Sequence, residues 1–154
     1  MVLLACGIGV TPMMSLLGEL SYAPGEATLI YRARTDAEVA FRAELEWFAA
    51  HRGVRIVYLF GPRADRPSWL PGQFAEHGDA ETLREIAPRI TASHVYLCGP
   101  DAWTRAARAA ADAAGVKPEH LHTELTSRSR STRPRTAATK KSTPTRCRSS
   151  GRRP

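Results

Sequence analysis

Short apolar runs of strand length alternate with Ala- and Leu-rich stretches at helical spacing over residues 2–124, and this alternation restricts the fold more than any other feature. Parallel strands need a crossover between them, so the pattern points to an α/β protein. The expected architecture is an open parallel five-stranded sheet, order 3-2-1-4-5, with helices on both faces. Strands are expected at 2–6, 27–32, 55–60, 94–98 and 120–124, and helices at 12–22, 37–50, 80–87 and 102–114. Thr11 is placed to cap the first helix, with Pro12 at its first position. Asp36 is placed to cap the second, whose Val39, Phe41, Leu45 and Phe48 form an apolar face. The stretch from Gly61 to Gly78 exceeds the usual connection length and reads as a binding loop or a mobile one, with binding preferred.

Charge divides the chain in two. Ten of its 22 Lys+Arg lie in residues 126–154, which hold no acid, leaving 12 bases against 15 acids before them. The net charge of +7 therefore belongs to a Ser/Thr/Arg/Pro-rich tail with too few apolar residues to offset its ordering entropy. Residues 1–125 read as one domain and 126–154 as a disordered tail. No run is long and apolar enough to span a membrane, and the N-terminus lacks a signal peptide's basic region. Cys6, Cys98 and Cys147 form no C-x-x-C pair and no metal spacing with the histidines, so no metal is expected. A scattered, odd cysteine count fits a reducing compartment, hence a cytoplasmic location.

In a sheet of this order a ligand binds at the carboxyl ends of the strands, where the order reverses and two adjacent loops diverge. After the first strand stands Gly7-Ile8-Gly9-Val10-Thr11-Pro12, glycines that let backbone approach a ligand and then a helix N-terminus suited to a pyrophosphate. It is not the G-x-G-x-x-G fingerprint, because Pro12 takes the third glycine's place. Cys98-Gly99-Pro100 follows the fourth strand and is expected to face it. The second strand ends in Arg32-Ala33-Arg34 rather than an acid for a ribose hydroxyl. Arg32 or Arg34, with Arg63, could read a 2′-phosphate through paired charge-assisted bonds. The alternative leaves these arginines solvated or paired with Asp36 and Glu38.

The run Leu-Ala-Cys-Gly-Ile-Gly-Val-Thr-Pro-Met-Met at 4–14, together with Val-Tyr-Leu-Cys-Gly-Pro at 95–100, resembles the nicotinamide-binding half of the ferredoxin-NADP reductase superfamily. Within it the chain looks most like the reductase portion of bacterial ferric-reductase-like oxidoreductases. Leu29 to Thr35 and His122-Thr123-Glu124 match its second and last strands, so the resemblance covers about residues 2–124. It implies an NAD(P)H-dependent flavin oxidoreductase in which Gly7, Ile8, Gly9, Val10, Thr11 and Pro12 surround the pyrophosphate and nicotinamide. Cys98, Gly99 and Pro100 would lie beside the nicotinamide, with Cys98, Glu124 and Thr11 at the point of hydride transfer. Position alone equally suits Cys98 to a buried strand-end role and Glu124 to a surface carboxylate.

The resemblance also implies an FAD-binding barrel, expected from a missing or partner domain in cis or trans, and an acceptor that is a haem membrane domain or an iron-sulfur domain. The abrupt opening on a core strand reads as the second half of something larger, inactive alone. Where the family ends near an aromatic residue, the basic tail begins instead, with the monotony of a frame shift or spurious extension. Cys6 stands where many members carry Gly or Ala. Met13 and Met14 are expected in the core, and Trp47 and Trp103 in helix packing. Trp69 is either an adenine contact or a loop anchor. Two other readings remain: polyanion binding through the tail, which has no interleaved aromatics for base stacking, and a non-functional fragment. Nucleic acid is not the expected partner.

Overall fold

A computed structural model describes residues 1–74 and 76–125; the basic segment 126–154, with the tail expectations attached to it, lies outside the described residues. The strands are β1 Val2–Cys6, β2 Thr28–Ala33, β3 Arg55–Phe60, β4 Val95–Gly99 and β5 Leu121–Leu125, all parallel, in the order 3-2-1-4-5. The helices are α1 Val10–Glu19, α2 Arg42–Arg52, α3 Asp79–Ile86 and α4 Asp101–Ala114. Among the described residues, no helix is long and apolar enough to cross a membrane.

Both faces of the sheet are covered, so its central strands are apolar on both sides. Leu3, Ala5, Leu29, Tyr31 and Cys98 pack with Val10, Met13 and Leu17 of α1 and Leu45 of α2. Leu4, Ile30 and Leu97, one residue out of phase, pack with Leu83 of α3 and Ala107 and Ala111 of α4. This period of two splits each strand between two cores. Burying a Leu side chain contributes roughly 1.5–3 kcal/mol, so the paired layers carry most of the stability.

Two helix starts differ from the sequence expectation. Gly7–Gly9 forms a single 3₁₀ turn and α1 begins directly after it at Val10, with Gly9 rather than Thr11 at the cap position and no capping side chain. The second helix is broken in two. Asp36–Glu38 forms a 3₁₀ turn, Phe41 takes the left-handed region at φ 57°, and only then does α2 start. Asp36 caps nothing; its carboxylate pairs with Arg42, and the Tyr31 hydroxyl accepts the Ala40 N–H at 3.2 Å. Phe41 is consequently exposed and leaves the apolar face expected for it, while Leu45 keeps its place there.

The long connection after β3 is an anchored one. Arg63 and Pro71 form an antiparallel bridge, and the Gly72 N–H donates to the Pro62 carbonyl at 3.0 Å. Trp69 is fully buried; its indole N–H donates to the Asp79 carbonyl at 3.0 Å, and its own carbonyl accepts the Trp103 indole at 2.9 Å. Trp69 is thus a loop anchor and not an adenine platform. Trp103 packs as expected, but Trp47 is half exposed and stacks on His51 at 4.9 Å between ring centroids.

Gly9 has a packing reason for its identity. A Cβ built there would stand 2.2 Å from the Cys98 carbonyl oxygen, inside any allowed contact. Gly9→Ala should therefore cost about 2–3 kcal/mol by overpacking against backbone. Gly7, at φ 57° with open space around a Cβ, should cost only about 1 kcal/mol as Ala. Gly18, inside α1 with nothing near, should gain up to about 1 kcal/mol. Denaturant unfolding of the three variants checks this ranking, and equal stability of Gly9→Ala and Gly18→Ala would refute it.

Candidate functional site: the edge where β1 and β4 part

β1 and β4 lie side by side, with Ala5 opposite Cys98, yet their chains leave for opposite faces, β1 into α1 and β4 through Pro100 into α4. That divergence is the reversal at which open α/β sheets bind ligands. The two glycine loops do meet, but by contact: the missing Gly9 side chain admits the Cys98 carbonyl rather than a ligand. Gly7 faces open space, and Ile8 is 67% exposed. Thr11 is exposed and Pro12 half-buried, whereas Val10 is buried and its N–H is already bonded to the carbonyls of Gly7 and Ile8. The 3₁₀ turn therefore takes an amide that the sequence reading had left for an anion.

On the α3/α4 face of this edge opens a cleft of about 700 Å³ lined by Cys6, Gly7, Arg32, Arg34, Arg63 and Trp103, among others. Arg34 and Arg63 are exposed and make no ion pair among the described residues. Asp36, offered in sequence as a partner for these arginines, is taken by Arg42. Arg32 departs from the role of phosphate reader. It is 6% exposed, and its guanidinium donates to the carbonyls of Ala33, Gly61 (2.7 Å) and Pro62 (2.8 Å). A group whose donors are committed to backbone cannot also grip a phosphate with them. The cleft also takes in Cys6, Arg66 and Ser68, which sequence reasoning did not assign; for Arg66 and Ser68 the unusual length of the 61–78 connection was the available signal.

On the α1 face of the same edge lies a smaller groove of about 330 Å³, lined by Pro12, Met13, Leu16, Tyr96, Thr123 and Glu124. Cys98 is wholly buried beside it, and Glu124 is its neighbour across the β4–β5 pairing and exposed. Burial, and then the Glu124 carboxylate, push the Cys98 thiol above its ordinary value, so it stays protonated at neutral pH. Gly99 is buried, and its carbonyl accepts the Thr104 hydroxyl at 3.1 Å. Pro100, half-buried, starts α4. The expected site residues thus fall into two groups on opposite faces of one sheet edge: Gly7 and the arginines in the basic cleft, Pro12 and Glu124 in the apolar groove. The Gly9–Cys98 contact joins them.

An open-space glycine turn beside a cationic cleft, with an apolar groove on the other face of the same edge, fits a molecule with a phosphate-bearing end and a flat, weakly polar end. The comparisons agree. The family model described as the oxidoreductase NAD-binding domain matches residues 3–109. The chain is 32% identical over 124 residues to the ferredoxin reductase component of the 3-ketosteroid-9-alpha-monooxygenase of Mycobacterium tuberculosis, covering 80% of this chain and 32% of that one. It is 34% identical over 128 residues to the tetrachlorobenzoquinone reductase of Sphingobium chlorophenolicum, covering 81% and 36%. Among solved structures, the flavohem-like FAD/NAD binding domain of the nitric oxide dioxygenase from Vibrio cholerae superposes with a TM-score of 0.61 at 26% identity, over 80% of this chain and 49% of that one. The chain belongs to the oxidoreductase NAD-binding domain family, the nucleotide-binding half of ferredoxin-reductase-like proteins. It spans about a third of the length of the curated relatives it matches.

The buried thiols set a pH dependence. Burial raises the Cys98 and Cys6 thiols above the ordinary thiol value, so in alkaline solution the folded chain keeps protons that the unfolded chain has lost. Stability then falls as the pH rises past the unfolded thiol value and levels off above the folded one. Denaturation midpoints should hold level while the unfolded thiols stay protonated, drop as the pH rises past the unfolded thiol value, and drop less in Cys6→Ala/Cys98→Ala. An identical decline in that variant would assign the effect elsewhere.

Proposed function

We propose that this chain binds a nicotinamide dinucleotide along the carboxyl edge of its sheet, its adenosine end in the arginine-lined cleft and its nicotinamide end near Cys98 and Glu124. The observation that carries this reading is the pair Arg34 and Arg63, both exposed and free of ion pairs among the described residues, beside the open Gly7 turn. Two guanidinium groups at one cleft favour a phosphate, and Arg34 follows the strand that would otherwise present an acid to a ribose. The preferred nucleotide is accordingly NADPH over NADH.

When bound, the dinucleotide supplies a hydride and the protein supplies placement. Arg34 and Arg63 hold the phosphate-bearing end, and Gly7 lets backbone lie close to the pyrophosphate. Thr11 and Pro12 border the turn toward the nicotinamide. Cys98, buried and neutral, puts a small side chain where a ring must come close, and Glu124 places a carboxylate at the same level of the edge. The hydride acceptor would be a flavin carried by a separate domain, in the same polypeptide or a partner. The FAD/NAD binding domain of the Vibrio cholerae nitric oxide dioxygenase supports this, because this chain covers 49% of it. Relatives described as a ferredoxin reductase component and as a flavohemoprotein support an onward iron-sulfur or haem acceptor. A cytoplasmic setting belongs to the same proposal.

Calorimetric titration of the full chain with NADP⁺ and NAD⁺ tests it directly. NADP⁺ should bind more tightly, and Arg34→Ala should weaken NADP⁺ by about tenfold while changing NAD⁺ by less than about threefold, as the loss of one charge-assisted contact would. Equal losses would remove Arg34 from 2′-phosphate reading, and a folded chain that binds neither would overturn the proposal.

A further inference from the structure

Arg32 is a cation in a strand core, a position that costs free energy unless every donor finds a partner. It stands between fully buried Tyr31 and buried Ala33 in β2. No carboxylate pairs with it among the described residues. Its charge is met by carbonyl dipoles alone: Nη1 donates to Ala33 and, at 3.5 Å, to Leu59; Nη2 donates to Gly61 at 2.7 Å and Pro62 at 2.8 Å. The neighbouring charges are Arg63 and Arg34, of the same sign, and the nearby Cys6 thiol is pushed by burial toward its neutral form. The charge therefore remains unneutralised beside the cleft.

The carbonyls it grips are those at the root of the loop. Gly61 and Pro62 directly precede Arg63. The Gly61 N–H donates to the Arg34 carbonyl at 3.0 Å, and the Pro62 carbonyl also accepts the Gly72 N–H at 3.0 Å. The ends of β2 and β3, each carrying one exposed arginine, are thus tied through a single guanidinium and the bonds around it. A monovalent amine has no planar fork to span those carbonyls, and a neutral side chain would leave the cleft with one cation fewer.

We propose that Arg32 is the positioning residue of the nucleotide site: it clamps the Gly61 and Pro62 carbonyls so that Arg34 and Arg63 stand as a preformed phosphate-reading pair, and it adds a fixed positive charge at the base of their cleft. The inference rests on the nucleotide reading given above and assigns part of the specificity of that site to a residue whose Nη donors are committed to backbone carbonyls.

The test compares Arg32→Lys, which keeps the charge and loses the fork, with Arg32→Gln, which loses the charge, in the full chain. Two readouts are used. Amide hydrogen exchange of peptides spanning 61–72 reports the clamp without any ligand, and titrations with NADP⁺ and NAD⁺ report specificity. Both variants should speed exchange in 61–72 while leaving α1 and α4 at the rates of the unaltered chain. Arg32→Gln should weaken NADP⁺ about tenfold and NAD⁺ less than about threefold, with Arg32→Lys between it and the unaltered chain. Unchanged exchange in 61–72 would overturn the clamp. Faster exchange throughout the sheet, with equal losses for both nucleotides, would overturn positioning in favour of general support of the fold. If the unaltered chain binds neither nucleotide, the nucleotide reading fails together with the specificity assigned here, while locally faster exchange would still establish the clamp on its own. Should Arg32→Gln not fold, Arg32→Lys alone decides: local exchange and a selective NADP⁺ loss support the proposal, and their absence overturns it.

Discussion

The contact of the Gly9 backbone with the Cys98 carbonyl is the constraint on which the arrangement of this edge depends. It closes the gap between β1 and β4 where their connections part to opposite faces, and it tolerates no Cβ. The turn that makes this contact also commits the Val10 amide and starts α1 without a side-chain cap. Packing of the two loops therefore decides where the edge is shut and where it stays open. It is open at Gly7, next to the basic cleft, and at Pro12 and Glu124, next to the apolar groove.

Electrostatics sorts these two openings. The cleft gathers Arg32, held by backbone carbonyls, and the exposed Arg34 and Arg63, which make no ion pair among the described residues, while the groove places one exposed carboxylate beside a thiol held neutral by burial. An unbalanced positive site next to a weakly polar one suits a molecule with a phosphate at one end and a flat ring at the other. The same cationic surplus requires a means of holding it in place, which the Trp69, Asp79 and Trp103 anchors and the Arg63–Pro71 bridge supply from the far side of the loop.

The sheet order and the helix faces were legible in the sequence because burial on two faces writes continuous apolar runs, and Leu3, Leu4, Leu29 and Ile30 report it directly. The edge where β1 and β4 part was legible as well, from the motif after β1 and the one after β4. The local reasons were not. Gly9 was read as a place for ligand approach, and its actual neighbour is the end of a strand 89 positions away in the chain. Arg32 looked like Arg34 in sequence, since alternation along a strand tells which side a residue faces but not whether carbonyls wait there. The break at Phe41 was hidden because the Asp36–Arg42 pair and the Tyr31–Ala40 bond that accompany it are tertiary.

The most direct measurement is an amide chemical-shift map of the full chain titrated with NADP⁺. The carboxyl edge described above competes with other open regions, among them a cavity of about 470 Å³ at the opposite edge, lined by Met1, Tyr22, Arg89 and His94 among others. Binding along the carboxyl edge predicts shifts at Gly7, Ile8, Arg34, Arg63 and Glu124, with Tyr22, Arg89 and His94 unmoved. Shifts confined to Tyr22, Arg89 and His94, or none at all in a folded chain, would contradict it.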